Sequence, residues 1–287
     1  MRFSVVIPTL RRPGPLRETL ESLLACEPPP DEVIVVDGDP ELSSAAVVEH
    51  LGSSVRILSS PLGMTVQRNN GLDAASGDVV VFLDDDVEVE PDLLRRLAET
   101  YSDPSVMGAT GRIIEPVQTR AGRPGSLVRR LLHGSKEGKF TRAGYPRYLS
   151  RFDREADLEF MQGCFMSARR DLAARVRFDE SLTGYALAED EDFAYRLSRY
   201  GPIRFVPGLR VVHKKLGFAS QDSREFGRLV IRNRSYLFRK NFPQTRLART
   251  QFALLIATLV IHRLANRQWQ GALGLLEGAR AQLAGRR

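Results

Sequence analysis

The sequence predicts an α/β fold with a mostly parallel central sheet flanked by helices, followed by a helical, basic C-terminal extension. Short runs of apolar, largely β-branched residues alternate with segments of helical periodicity. Continuous apolar strands joined by helices are typical of parallel sheets covered on both faces. Residues 1–200 hold 25 basic and 32 acidic side chains, whereas residues 201–287 hold 17 and 3. The end of the chain is therefore expected to differ in structure and partner from the body.

Four strands alternate with four helices over the first hundred residues. Leucines at helical spacing after Pro15 and after Pro91 predict the first and the last of these helices. The two other helices are predicted at 45–51 and 65–75, and the strands at 3–7, 33–36, 55–58 and 79–83. Ligands of such sheets bind beyond the carboxyl ends of the strands, so the polar residues directly after each strand mark a candidate site.

The second half of the chain is less regular. Residues 115–155 are rich in Gly, Pro and Arg and predict a long loop beside the site. A strand interrupted by Gly163 is expected at 160–168, and a helix at 189–200. Two further strands at 203–206 and 210–213 precede a helical region that begins at residue 223.

Several classes of protein are excluded by composition. Cys26 and Cys164 are the only cysteines, which excludes a disulfide scaffold and a cysteine zinc site and fits a reducing compartment. No signal peptide is evident, because Pro8 interrupts the first apolar run. The longest apolar run, 252–261, is shorter than the ~20 residues of a membrane span. We therefore expect a cytoplasmic protein that is soluble or peripheral on the inner face of the membrane.

Three adjacent carboxylates, Asp84, Asp85 and Asp86, follow the buried strand 79–83. Carboxylates so close together repel one another unless a cation compensates, and hard divalent ions take oxygen ligands of this kind. An acidic loop that caps the next helix is the alternative. The Asp-x-Asp pattern of haloacid-dehalogenase phosphatases does not fit, because Glu88 stands where Thr or Val is needed and the strand is the fourth.

A second acidic cluster, Glu189-Asp190-Glu191-Asp192, begins a predicted helix. The helix dipole favours carboxylates there, and one of them is also a candidate general base. Arg68 and His213 are weaker signals, since a surface arginine and a structural histidine are the ordinary interpretations. A metal at the aspartates would make His213 a candidate ligand.

Six segments taken together resemble the family-2 glycosyltransferases with the GT-A fold. The resemblance covers residues 3–213 and rests on FSVVIPTL, EVIVVDGDP, QRNNGL, FLDDDVEVEPD, MQGCFMSARRDL and AEDEDFAYRL, in that order. It implies an inverting transfer of a sugar from a nucleoside-diphosphate sugar to an acceptor hydroxyl of a cell-surface glycan or a lipid-linked acceptor. The cofactor implied is Mn²⁺ or Mg²⁺.

The resemblance also implies roles for the residues of the donor side. Asp86 would bind the cation, with His213 as a further ligand, and Asp84 and Asp85 would contact the donor. The remaining donor-binding residues are then Pro8 and Thr9 in the nucleotide pocket, Asp37 at the base, and Arg68 at the base or the diphosphate.

On the acceptor side, Asp190 matches the general base of the inverting members. Gly163, Glu189 and Asp192 would lie around the acceptor, and Asp192 stays a rival base because the motif reads EDED. The sequence VVDGDP departs from the family's usual Asp-Asp-Gly-Ser or Asp-Asn-Gly-Ser, which leaves Asp39 without a matching role. The Gln-x-x-Arg-Trp motif of processive members is absent, which argues against a polymer synthase with its own membrane channel.

The domain division follows from the resemblance. Residues 1–215 would form the catalytic domain, with 1–110 binding the nucleotide-sugar and 111–215 the acceptor, and 216–287 would form the basic extension. Within the extension, residues 224–243 mix Arg and Lys with aromatic and aliphatic residues, as in amphipathic helices on anionic membranes. Packing on the catalytic domain or on a second subunit of a homo-oligomer is the alternative.

Two other functions stay open at this point. A nucleotidyltransferase also uses acidic metal ligands on an α/β sheet, although TLRRPGP has one glycine where such enzymes have a glycine-rich loop. A non-enzymatic protein that binds anionic ligands would explain the basic extension. Nucleic acid is not the expected partner, because the acidic strand ends would repel a phosphate backbone.

Overall fold

The computed structural model describes residues 1–115, 136–215 and 222–284. These residues fall into two compact units. The first contains 1–115 and 150–215, and the second contains 136–149 and 222–284.

The first unit contains a nine-stranded sheet and six helices within the described residues. The strands are β1 (Phe3–Thr9), β2 (Glu32–Asp37), β3 (Val55–Ser59), β4 (Val79–Leu83), β5 (Val87–Val89), β6 (Gly108–Ile114), β7 (Ala156–Leu158), β8 (Phe165–Arg169) and β9 (Ile203–His213). The helices are α1 (Pro13–Leu24), α2 (Ala45–Val48), α3 (Met64–Ala74), α4 (Leu93–Tyr101), α5 (Arg170–Val176) and α6 (Glu189–Leu197).

The strand order is β3-β2-β1-β4-β8-β6-β9-β5, and β7 pairs with β9. Strands β1 to β4 pair in parallel, as predicted from their continuous apolar runs. Beyond β4 the sheet is mixed: β8 is antiparallel to both β4 and β6, β6 is parallel to β9, and β5 and β7 are antiparallel to β9. The predicted α/β class is confirmed, and the all-parallel part of the sheet ends at β4.

Apolar burial explains the regular half of the first unit. Every residue of β1 and β4 is buried. Leucines of α1 and α4 pack in the same core cluster as the inward-facing valines of these strands. Helix α3 approaches the sheet closely at Gly71, where a Cβ atom would lie 2.3 Å from Val6 Cγ1. The carboxyl ends of β1, β2 and β4 consequently carry Thr9, Asp37 and Asp84 along one edge of the sheet.

The less regular half differs from the predictions in three places. The strand expected at 160–168 begins only at Phe165, because side chains of the candidate site bind the backbone around Gly163. The two strands expected at 203–206 and 210–213 are one strand, with a register shift between Gly111 and Arg112 of its neighbour β6. Strands β5, β6 and β7 and helix α5 were not predicted.

Smaller corrections concern boundaries. Helix α2 ends at Val48 rather than Leu51, and α6 ends at Leu197 rather than Tyr200. Of the predicted loop 115–155, residues 116–135 lie outside the described residues, and the backbone of 136–155 is irregular.

The second unit contains three long helices, α7 (Arg224–Asn241), α8 (Arg246–Ala265) and α9 (Trp269–Ala284). Ser223 and Thr245 cap α7 and α8, each accepting a backbone N–H bond with its side-chain oxygen. Glycines let α7 and α9 approach closely, since a Cβ atom at Gly274 would lie 2.2 Å from the carbonyl oxygen of Arg224.

The length of α8 corrects the expectation that no segment could reach across a membrane. The helix extends on both sides of the apolar run 252–261, and its 20 residues are sufficient in length and composition to cross a bilayer.

Candidate active site

Asp84 and Asp86 lie with His213 in one cluster of the kind that holds a metal ion. One ligand atom of each lies within 4.8 Å of the ligand atoms of the other two. The antiparallel pairing of Val87 with His213 brings the end of β9 beside the aspartates. His213 Nε2 lies 3.2 Å from Asp86 Oδ1 and 3.9 Å from Asp84 Oδ2. The sequence named all three residues, and the structure brings them together.

The pKa of His213 responds to this environment. Burial disfavours the charged imidazolium, but the hydrogen bond to Asp86 and the charges of Asp84 and Asp86 outweigh it and raise the pKa.

Asp85 has different partners from its two neighbours. Its carboxylate accepts hydrogen bonds from Thr9 Oγ1 at 2.7 Å and from Arg12 Nη1 at 2.6 Å. Burial, followed by the charges of Asp84 and Asp86, raises the pKa of Asp85 to about 6, against the opposing effects of Thr9 and Arg12. Through its hydrogen bond with Thr9, the Asp85 side chain links the end of β4 to the end of β1.

Arg12 was not singled out from the sequence. It also donates from Nη2 to Asp86 Oδ2 at 2.8 Å, so one guanidinium compensates two of the three adjacent carboxylates. The signal available in the sequence was the pair of arginines directly after the first strand, in TLRRPGP.

Arg68 joins the two acidic clusters. It projects from α3, and its side chain is 1% exposed. Its guanidinium donates to Glu189 Oε1 at 2.7 Å, to Asp84 Oδ1 at 3.2 Å and to the Gly163 carbonyl at 2.9 Å. A charge buried this deeply is stable only when it is paired and hydrogen-bonded, so the arginine and the two carboxylates stabilise one another.

Asp190 is held next to this network by the backbone of Gly163. The Gly163 N–H donates to Asp190 Oδ2 at 2.8 Å, and the Glu191 N–H donates to Asp190 Oδ1 at 2.8 Å. Burial, reinforced by the charge of Glu191, raises the pKa of Asp190. A partly buried carboxylate with a raised pKa has the character of a general base.

Asp192 lies apart from this network. Its side chain is completely buried, and it accepts bonds from Arg196 at 2.9 and 2.7 Å. Residues two apart on a helix are separated by ~200°, so Asp190 and Asp192 point in different directions, and the acceptor-side role of Asp192 stays a prediction.

Asp37 shapes a loop rather than facing an open space. Fully buried, it accepts the backbone N–H of Asp39 at 2.9 Å and that of Ser44 at 3.1 Å. Asp39, which had no expected role, pairs with Arg11 at 3.3 Å. Pro8 is buried within β1, opposite Val36 of β2.

Gln67 is a second residue that the sequence did not reveal. Its Nε2 donates to the carbonyl oxygens of Thr9 and Val36, at 2.9 Å each, and ties the ends of β1 and β2 together. Its position beside Arg68, in QRNNGL, was the only available signal.

Sequence comparison identifies relatives of the chain. A family model described as glycosyl transferase family 2 matches residues 4–177. The chain is 34% identical over 127 residues to a glucosyl-dolichyl phosphate glucuronosyltransferase of Haloferax volcanii, covering 40% of this chain and 39% of that protein. It is 39% identical over 108 residues to the succinoglycan biosynthesis protein ExoM of Rhizobium meliloti, covering 35% of each. The matches span less than half the length of these curated relatives.

Solved structures share the fold. The mannosyltransferase PcManGT from Pyrobaculum calidifontis, in complex with GDP-Man and Mn²⁺, aligns with a TM-score of 0.61 and 18% identity over 98% of this chain and 75% of that one. TarS of S. aureus, in complex with UDP, aligns with a TM-score of 0.54 and 20% identity over 81% and 65%. The predicted GT-A fold is confirmed, and the chain belongs to glycosyl transferase family 2.

Proposed function

We propose that the chain transfers a sugar from a nucleoside-diphosphate sugar to an acceptor hydroxyl, with inversion and with a divalent cation. The proposal rests on one observation: Arg68 contacts both acidic clusters. It binds Asp84 of the candidate metal site and Glu189 of the second cluster. It also binds the carbonyl oxygen of Gly163, whose N–H holds the candidate base Asp190. The family assignment favours this function over a nucleotidyltransferase or a non-enzymatic anion-binding protein.

The donor set fits a hard divalent cation. Two carboxylates and one imidazole within 4.8 Å provide oxygen ligands and one nitrogen, a combination suited to Mn²⁺ or Mg²⁺. Asp84, Asp86 and His213 would hold the ion. When bound, the ion supplies Lewis-acid neutralisation of the donor's diphosphate.

The chain's own residues would bind and orient the donor. Thr9 lies at the edge where β1 ends, and the loop ordered by Asp37 follows the neighbouring strand, which is where ligands of α/β sheets bind. Arg68 is fixed by three partners and would place positive charge near the departing diphosphate without reorganisation.

Asp190 would take the proton from the acceptor hydroxyl as that oxygen attacks the anomeric carbon. The pairing of Asp192 with Arg196 supports Asp190 over its rival. One displacement on the face opposite the leaving group inverts the configuration, and no covalent glycosyl-enzyme is required. Gly163 positions the base through its N–H, and Glu189 fixes Arg68 from the acceptor side.

The names of the two curated relatives support a lipid-linked or cell-surface glycan acceptor. The dolichyl lipid named for the first relative also supports an enzyme that works at a membrane surface. Residues 1–215 would be the catalytic domain, divided at 110 into donor and acceptor halves, and 216–287 the extension.

A donor panel tests the proposal. The full chain is incubated with UDP-, GDP- and TDP-sugars, with Mn²⁺ and with EDTA, and both thermal stability and donor hydrolysis are measured. We expect one nucleotide class to raise the Tm and to be hydrolysed slowly, only with the metal. In a parallel incubation with a nucleoside triphosphate and a sugar phosphate, release of pyrophosphate would instead show a nucleotidyltransferase. Binding of the donors without turnover in either incubation would indicate an anion-binding protein.

A further inference from the structure

The second unit exposes a helix face without charge. Between Thr250 and Ala265, every exposed residue of α8 is Thr, Ala, Leu or Ile. Leu254 is 48% exposed and Ile261 is 65% exposed. Together with Leu247 and Leu264 they form the apolar face of α8. The solvent side of a helix normally carries polar residues, so an extended apolar face indicates an interaction surface.

The opposite side of α8 is packed within the second unit. Val260 belongs to a core cluster with Ile231 of α7 and Leu275 of α9. Even so, only 17% of the most apolar stretch of α8 is buried. The helix is therefore attached to its unit by one side and leaves the other side open along its length of ~30 Å.

Positive charge surrounds the apolar face. Residues 222–284 contain 11 basic and 3 acidic side chains. Arg246 and Arg249 are exposed at the start of the face, and Arg267 is exposed just beyond its end. This arrangement complements an anionic surface. It opposes pairing with a second copy, which would bring the same positive charges together.

We propose that the second unit binds an anionic lipid bilayer by laying the apolar face of α8 along the interface, with the flanking arginines against the headgroups. The helix lies in the interface rather than crossing it, because α7 would carry exposed Arg228, Arg232 and Arg239 into hydrocarbon. The contact differs from the one expected from the sequence, since apolar residues of α7, such as Leu237 and Phe238, are buried. No residue of the first unit takes part, so the inference is independent of the sugar-transfer proposal.

Flotation of the full chain with vesicles tests this surface. Vesicles of phosphatidylcholine alone are compared with an equimolar mixture of phosphatidylcholine and phosphatidylglycerol. We expect flotation with the anionic vesicles, weakened by salt. Trp269, the single tryptophan of the chain, is 58% exposed and lies five residues beyond Leu264. Its emission should shift to the blue on binding.

The double variant Leu254→Gln/Ile261→Gln removes two apolar contacts and keeps good helix formers. We expect it to lower vesicle partitioning about tenfold or more. Leu62→Gln, at a 67% exposed leucine of the first unit, is the matched control and should bind as the original chain does.

Unchanged flotation of the double variant, with its helical circular dichroism retained, would overturn the proposal. So would a lipid-free dimer that the same two substitutions dissociate, since the occupant of the face would then be a second copy. Nucleotide-induced stabilisation of these variants reports separately on the donor site, so the two proposals fail independently.

Discussion

Two acidic clusters of similar composition are organised by different secondary structure. Asp84, Asp85 and Asp86 directly follow strand β4. Asp84 and Asp86 lie beside His213, whereas Asp85 accepts hydrogen bonds from Thr9 and Arg12. The three aspartates lie in the turn between β4 and β5, and their contacts divide them into a pair and a single residue. The pair can share a cation, and the single residue braces the strand ends.

The cluster Glu189-Asp190-Glu191-Asp192 starts a helix and divides by helical geometry. Glu189 and Asp190 reach Arg68 and Gly163, whereas Asp192 is buried against Arg196. The same residue type therefore has the proposed chemical role at one position and an ion pair with Arg196 two positions later. The direction imposed by the backbone separates the roles, and three substitutions test this difference.

The largest effect is expected for Asp190→Asn. The amide keeps the shape and can no longer take the proton from the acceptor, so we expect kcat to fall by about 10²–10⁴-fold. Steady-state transfer assays measure the loss. Nucleotide affinity by calorimetry is the control and should stay within about twofold, because the donor contacts are unchanged. Transfer at the original rate would place the base elsewhere.

Asp86→Asn should act on metal-dependent binding. We expect the Mn²⁺-dependent stabilisation by the preferred nucleotide, about 2.7 kcal/mol at ~100 times Kd, to disappear. Thermal unfolding with and without EDTA measures it. Glu88→Gln is the matched control, since Glu88 is two residues later, exposed and 3.6 Å from Lys214. Equal losses in both variants would contradict a site formed by Asp84, Asp86 and His213.

The smallest effect is expected for Asp192→Asn, and it should fall on stability. Breaking a buried ion pair costs about 3–5 kcal/mol. Arg196 is partly exposed and keeps the carbonyl oxygens of Val176 and Arg177 as partners, so we expect a loss of about 2 kcal/mol. Chemical denaturation measures the loss, and transfer per folded molecule should not change. Normal stability with lost transfer would make Asp192 the base.

Much of the site could be predicted because it follows buried parallel strands. Continuous apolar runs identify β1, β2 and β4, and the residues after them must meet at one edge of the sheet. Asp84 and Asp86 were found in this way, whereas Arg68 came from the motif QRNNGL. Arg12 and Gln67 were missed, because a single polar residue in a loop or on a helix carries no periodic signal.

Local sequence patterns also did not predict the strand and helix boundaries of the less regular half. The apolar run 160–168 looks like one strand, but hydrogen bonds from Arg68 and to Asp190 hold Gly163 in an irregular segment. Strand β5 has three residues and exists because β9 pairs with it. Such contacts join residues far apart in sequence, and local propensity does not report on them.

The amino-acid sequence by itself determined the α/β class, the parallel strands β1 to β4, the acidic residues at their ends and the basic character of the C-terminal region. Tertiary structure alone decided which carboxylates share Arg68, which one is buried against Arg196, and which side of α8 stays exposed. The physical reason is that hydrophobic periodicity indicates which residues are buried. The partner that a buried residue contacts depends on how segments distant in sequence pack together.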